Sequence, residues 1–416
     1  MDDAVAAAVE RAHRSEWSRV FAATVTLTRD LDLAEECVQE AYMQAMQSWA
    51  TSGVPERPGA WLTTTARNRA KDALRREAVL RRALPFLISD DAASGVAGDP
   101  GDPLDDDLLR LVFTCCHPAL SRDARIALTL RVVCGLSTAE VARAFLVSEA
   151  TMAARVTRAK KKIALARIPY RVPSAEQLNE RVDAVLDVVY LIFTTGHTAP
   201  SADRLLRRDL LDAAVRLGRT LHLLMPNDAA VSGLLALMLL IDARADSRVS
   251  ATGGLLLLSE QDRTRWDPRR IEEGIALLIP ALRRRPPSRF AVEAAIAAVH
   301  AEAATWQDTD WTEIVGLYDV LLQLWPSPVV ELNRAVAVGM RDGPEVGLVA
   351  LGSLSGEPAL ASYSYLSTAR ADFLRRLGHW GPATEAYEHA LTLSDNDVER
   401  AFLAERIDET RRRRHG

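Results

Sequence analysis

Apolar residues recur at intervals of three and four along nearly all of the chain, and runs that alternate apolar with polar residues are few. That period belongs to helices with one buried stripe, so it restricts the chain to an all-α fold. A clear case is Leu33, Cys37, Ala41 and Ala45, spaced by four, with Glu36, Gln39, Glu40, Gln44 and Gln47 on the remaining faces. The composition agrees: Trp, Tyr and Phe together number 23 in 416 residues, too few for a β-rich protein of this size. Hydrophobic residues at 48% and charged residues at 26% exclude global disorder. The net charge of −5 excludes a chain that binds polyanions along its whole length.

The length suits two or three domains, and the pattern shows where they divide. Residues 4–88 read as several helices. Residues 89–107 hold seven Asp, three Gly, two Pro and no basic residue, and are expected to form a flexible acidic linker. Helical pattern returns over 108–168. Pro169 and Pro173 mark a short joint, and 175–410 is an Ala/Leu-rich helical region. The N-terminus is acidic with no apolar segment behind it, and the longest uncharged apolar run, Gly233 to Ile241, is about half a membrane span. A cytoplasmic protein with no membrane contact is expected.

Two blocks concentrate charge. In the first, Asp32-Leu-Ala-Glu35 reads as an N-cap followed by a carboxylate, opening an acidic helix. A turn with Gly53, Pro55, Pro58 and Gly59 follows. Then comes a basic helix from Trp61, with seven Lys/Arg against two acids as far as Arg82. An acidic helix, a tight turn and a basic helix opened by an aromatic suit a protein surface on one side and phosphates on the other. In the second block, Gly135 reads as a C-cap and Ser137-Thr-Ala-Glu140 as a capping box. Ser148 caps a basic helix running to Ile163. Short helix, turn and longer basic helix make a helix-turn-helix, whose second member enters the major groove.

Ala34-Glu-Glu-Cys-Val-Gln-Glu-Ala-Tyr42 and Trp61-Leu…Ala66-Arg-Asn-Arg-Ala-Lys-Asp-Ala-Leu-Arg-Arg76 resemble region 2 of bacterial sigma factors, closest to the extracytoplasmic-function class. Gly135-Leu-Ser-Thr-Ala-Glu-Val-Ala and Val147-Ser-Glu-Ala-Thr-Met…Arg155…Arg158 are similar to sigma region 4.2. The resemblance implies partners: core RNA polymerase, through the clamp helices of its largest subunit and the flap, and promoter DNA. It implies that Glu36, Gln39, Glu40 and Tyr42 face polymerase. Trp61, Arg67, Asn68, Lys71, Arg75 and Arg76 would lie near the −10 strand, where a flipped base needs a pocket and a wall. At the −35 element, where Ser148 is also placed, Glu149, Thr151 and Arg155 would meet base edges, and Arg158, Lys160, Lys161 and Lys162 phosphates.

The C-terminal 240 or so residues carry a weak repeat. Tyr318 and Tyr387 lie 69 residues apart, about twice the tetratricopeptide period. Ala371 to Leu393 is the best unit, with Gly378, Trp380, Ala383, Tyr387 and Ala390 at that spacing. Residues 246–266 interrupt the frame and read as an inserted loop or short hairpin. This region resembles the extension of one sigma subgroup, although Thr194-Thr-Gly-His197 stands where that subgroup has Asn-Glu-Gly-Tyr. It is expected to dock on the N-terminal half and modulate it.

Cys115-Cys116-His117 invites a metal reading, but the sequence offers too few matched ligands for a zinc site, and core thiols are expected. There is no HExxH, Gly-rich phosphate loop or nucleophile elbow. No catalytic residue, metal or cofactor is expected. The rival reading is a stand-alone helix-turn-helix regulator whose helical repeats bind a peptide or small molecule.

Overall fold

A computed structural model describes residues 3–83, 103–145, 147–197, 206–250 and 254–415. Its regular structure over these residues is helical, apart from an isolated antiparallel bridge between Val249 and Leu255. That bridge lies in the segment expected as an inserted loop. The chain divides into two compact units, residues 1–188 and 189–416. The boundary falls inside a helix rather than at the Pro169–Pro173 joint.

In the first unit, α1 (Asp3–Thr28), α2 (Leu31–Ser52) and α3 (Pro58–Ala83) pack pairwise as a three-helix bundle. α4 (Pro103–Cys115) lies along α1. α5 (Arg122–Leu128) runs on into a π-helical turn, Thr129–Val133. α6 (Thr138–Ala144) and α7 (Glu149–Leu165) follow, and the first half of α8 (Ala175–His197) completes the unit. The acidic stretch expected as a linker lies outside the described residues up to 102; its last five residues already belong to α4, and Asp107 is buried there.

Two local readings change. Asp30, not Asp32, is the N-cap of α2: its Oδ1 accepts from the amides of Asp32 at 2.7 Å and Leu33 at 3.0 Å. The helix therefore starts two residues earlier, at Leu31. Its buried stripe is Leu31, Ala34, Cys37, Val38, Ala41, Ala45 and Trp49, with Leu33 at the margin. A stripe about two residues wide per turn is what a helix covered by two neighbours needs.

The second unit winds α9 (Arg208–Leu224), α10 (Ala229–Asp242), α11 (Pro268–Leu282), α12 (Arg289–Glu302), α13 (Trp311–Leu324) and α14 (Pro328–Asp342) in succession. It ends with α15 (Pro344–Gly352), α16 (Ser364–Arg376), α17 (Trp380–Leu393) and α18 (Asp397–His415). Helices adjacent in sequence pack together, as stacked helical pairs do. The apolar run from Gly233 is the body of α10, buried on all sides by α9, α11 and α12. Gly233 lets α12 close in, since a Cβ there would sit 2.7 Å from the Ala291 amide nitrogen. Among the described residues no helix is long and apolar enough to cross a membrane.

Candidate polymerase and promoter interface

The exposed side of α2 carries Glu36, Gln39 and Glu40. Tyr42 does not share it. Its ring is buried at 8% exposure, 5.2 Å from His13 and 6.0 Å from Trp17, and its hydroxyl donates to the Ala12 carbonyl at 3.4 Å. Gln39 also reaches back to Glu35, one turn earlier.

α3 starts at Pro58, and its half-buried Trp61 packs edge-on against Trp49 of α2 at 5.7 Å. Asn68, Lys71 and Arg75 are exposed at steps of three and four, so they share one face, and Arg76 is exposed beside them. Arg67 turns inward instead: its Nε donates to the Ala23 carbonyl at 3.5 Å and a terminal nitrogen lies 3.7 Å from Asp107. Arg69, which sequence reasoning did not single out, spans to α2, reaching Gln44 at 3.2 Å and Glu40 at 3.6 Å.

The helix-turn-helix has the local chemistry its sequence spells. Ser137 and Glu140 form a reciprocal capping box, and Ser148 accepts from the Thr151 amide at 3.2 Å. Met152, Val156, Ala159 and Ile163 form the buried stripe of α7. Glu149, Thr151, Arg158, Lys161 and Lys162 are exposed. Arg155 is half-buried. It lies over the Phe145 ring at 5.1 Å and 3.4 Å from Asp123.

Lys160 is not on the exposed face. Its Nζ sits 2.8 Å from Asp32 and 2.6 Å from Glu35, both on α2, and the side chain is only 8% exposed. Arg131, from the π-helical turn, pairs with the other oxygen of Glu35. One carboxylate thus holds two cations from the helix-turn-helix half. Beside this cluster the buried Trp17 indole donates to the Val132 carbonyl at 2.9 Å, satisfying an acceptor freed at the helix end. Gly135 ends that helix at φ +72°, and a Cβ on it would lie 2.7 Å from the Trp17 ring. Burial, and then the Arg131 guanidinium, hold His13 below its ordinary range, its ring tilted against Trp17 at 4.8 Å. Tyr170 closes the far end, donating to the carbonyls of Ala22 at 3.2 Å and Asp107 at 3.0 Å. Sequence periodicity carries no trace of these contacts between segments, which join residues from 63 to 148 positions apart.

Cys37, Cys115 and Cys116 are buried, and among the described residues no cluster of ligands could hold a metal. Burial pushes the Cys116 thiol up to about 11 and Cys115 well above its usual range, so neither is a thiolate near neutrality.

Residues 12–79 match Sigma-70 region 2, and residues 110–163 match Sigma-70, region 4. Together the two matches support a sigma factor of the sigma-70 family. Such domains imply binding to core RNA polymerase and promoter DNA and a part in promoter recognition. A stand-alone regulator leaves the region 2 bundle without a purpose. Residues 181–282 of this chain match a family of unknown function, DUF6596. An uncharacterized protein, R00370, of Rhizobium meliloti (strain 1021) is 44% identical over 389 residues, covering 91% of this chain and 90% of its own. No solved structure matches it.

Proposed function

We propose that this is a sigma factor of the extracytoplasmic-function class, acting in the cytoplasm, whose free form is closed. Glu36, Gln39 and Glu40 of α2 dock on the clamp helices of polymerase. Trp61, Asn68, Lys71, Arg75 and Arg76 of α3 track the opened −10 strand. Glu149, Thr151 and Arg155 read the −35 element, while Arg158, Lys161 and Lys162 hold its phosphates and the region 4 half meets the flap. The C-terminal unit, tetratricopeptide-like in its paired helices, modulates these steps.

The observation that carries the closed form is the cluster of Lys160 and Arg131 on Glu35. It puts the last turns of the −35 helix on the helix assigned to polymerase. The −35 and −10 elements are separate stretches of duplex, and each base pair between them adds about 3.4 Å. Both cannot be read while this cluster is intact. Polymerase binding therefore accompanies separation of α2 from α7, and Lys160 becomes available to phosphate only then.

Run-off transcription with purified core polymerase, on DNA from upstream of the protein's own gene, tests the reading. The expected result is a discrete transcript that needs both protein and core. Replacing Gln39 with Ala and Glu40 with Lys should abolish transcript and co-purification with core while the circular dichroism spectrum is kept. Unchanged co-purification of the folded double variant removes the α2 assignment.

A further inference from the structure

The second unit contains a cavity of about 1010 Å³ whose walls come from α8, the 3-10 turn at Leu258–Glu260, α14, α16 and α18. That is the upper end of the range for small-molecule sites. Its apolar lining is aromatic: Tyr190, Phe193, Tyr363, Tyr365 and Phe402 are among the residues that face it.

Its charge is unbalanced. Arg244, Arg248, Arg375, Arg376 and Arg406 line it against the carboxylates of Glu260 and Asp372. Those two are already taken, Glu260 by Arg406 at 2.9 Å and Asp372 by Arg375 at 2.8 Å. Arg248 donates to the His197 carbonyl, and Arg376 to the Met340 sulfur at 3.0 Å. Neither partner is charged, and the carboxylate that acts on Arg248, Glu399, lies outside the lining. Arg244 sits deepest, and the charges that act on it are those of Arg248 and Arg263, both of its own sign. Beside it the His197 imidazole also lines the cavity, with a buried Nδ1 that has no hydrogen-bond partner.

Holding a buried guanidinium among others without a counter-charge is costly, and removing water from it adds to the cost. Burial and the neighbouring arginines push Arg244 down to about 10 and His197 well below its ordinary range. A bound anion would relieve both. Guanidinium forks match carboxylate and phosphate oxygens in pairs, and the aromatic walls suit a flat apolar body.

We propose that this cavity is a binding site for a small organic anion, an aromatic or apolar body bearing a carboxylate or phosphate that is held by Arg244, Arg248 and Arg376. Asn333, also in the lining, offers an amide to the polar end. Nothing in promoter recognition uses these residues, so the site is an additional function of the second unit and stands whether or not the closed form above is correct.

The test uses the full chain and two dyes of the same ring system. 8-Anilinonaphthalene-1-sulfonate carries an anion, and N-phenyl-1-naphthylamine does not. The sulfonate should bind saturably at one site, about tenfold or more tighter than the amine, as charge-assisted hydrogen bonds would give. Arg244→Gln should weaken the sulfonate by about tenfold and leave the amine unchanged. Ala369→Phe, which fills the cavity from α16, should weaken both. Should Arg244→Gln fail to fold, judged by near-ultraviolet circular dichroism, the exposed Arg376→Gln replaces it with the same expectation. Equal binding of the two dyes, no binding of the sulfonate, or a folded arginine variant with unchanged affinity overturns the site. Competition then separates the sources of the anion. Displacement at lower concentration by phenylacetate assigns a carboxylate, and by phenyl phosphate a phosphate ester. Displacement by neither shows that the dye sat on apolar surface alone and overturns the proposal.

Discussion

Glu35 is the residue on which the first unit turns. It is 15% exposed and accepts from both Lys160 and Arg131. A buried carboxylate between two cations contributes little beyond its own desolvation, but its loss strands both partners. Glu35→Gln should lower the stability of the full chain by about 3 kcal/mol, read from urea unfolding, because two cations remain in a half-dry site. Lys160→Met should cost less, since Glu35 keeps Arg131. A smaller loss for Glu35→Gln than for Lys160→Met would show that the cluster is not the anchor. In the second unit Glu293 behaves differently. Burial pushes its carboxyl from 4.5 up to about 7, against the pull of Arg289 and of the hydrogen bond to Tyr190. The folded state thus favours the protonated form. Its contribution is complete below pH 4.5 and is lost as pH rises through about 7. Glu293→Gln, which stays neutral, should raise the unfolding free energy at pH 8 by roughly 1–3 kcal/mol and change little at pH 4.5. Equal effects at both pH values would refute the buried acid.

At the scale of the element, α7 divides its work by face. Arg155 stacks on Phe145 near the start of the helix, where a side chain can reach base edges, while Lys161 stands in water two turns further on. Arg155→Ala should weaken −35 binding by ~1–3 kcal/mol and relax preference at one position; Lys161→Ala should weaken all sequences alike and flatten the salt dependence by about one ion. If selections on random −35 sequences shift equally for both variants, the orientation of α7 in the groove is wrong. The same helix shows what a sequence can convey. Ser148 and the Ser137–Glu140 box were legible because a cap is satisfied within four residues. Gly135 was legible as a helix end, but not as the surface on which Trp17 rests. The burial of Lys160 and Tyr42 was not legible because their partners, Asp32 and Glu35 for one, Trp17 and His13 for the other, come from other helices. Thr194 and His197, noted as a departure from the sigma subgroup, turn out to line the arginine-rich cavity, which no local pattern announced.

For the whole molecule, the legible part was the order of its pieces: a region 2 bundle, a helix-turn-helix and a long run of helical pairs. The expectation of two tethered domains missed that both halves close into one unit, because a tether constrains distance and says nothing about the surfaces it brings together. Dyes on cysteines introduced at Lys71 and Lys161, both exposed, should report a short separation in the free chain and a much longer one with core polymerase. A separation that core polymerase leaves unchanged would mean that the closed unit is the working form.

The ion cluster on Glu35 also sets a threshold of supply. If the free chain is closed in about 99 molecules of 100, its apparent affinity for core polymerase falls by about a hundredfold. Such a chain stays silent at a copy number that would let an open one compete with other initiation factors for a limited pool of enzyme. Each tenfold of that handicap corresponds to about 1.4 kcal/mol of closure, so a single charge at one end of α2 decides how many molecules a cell must make before the first promoter is opened.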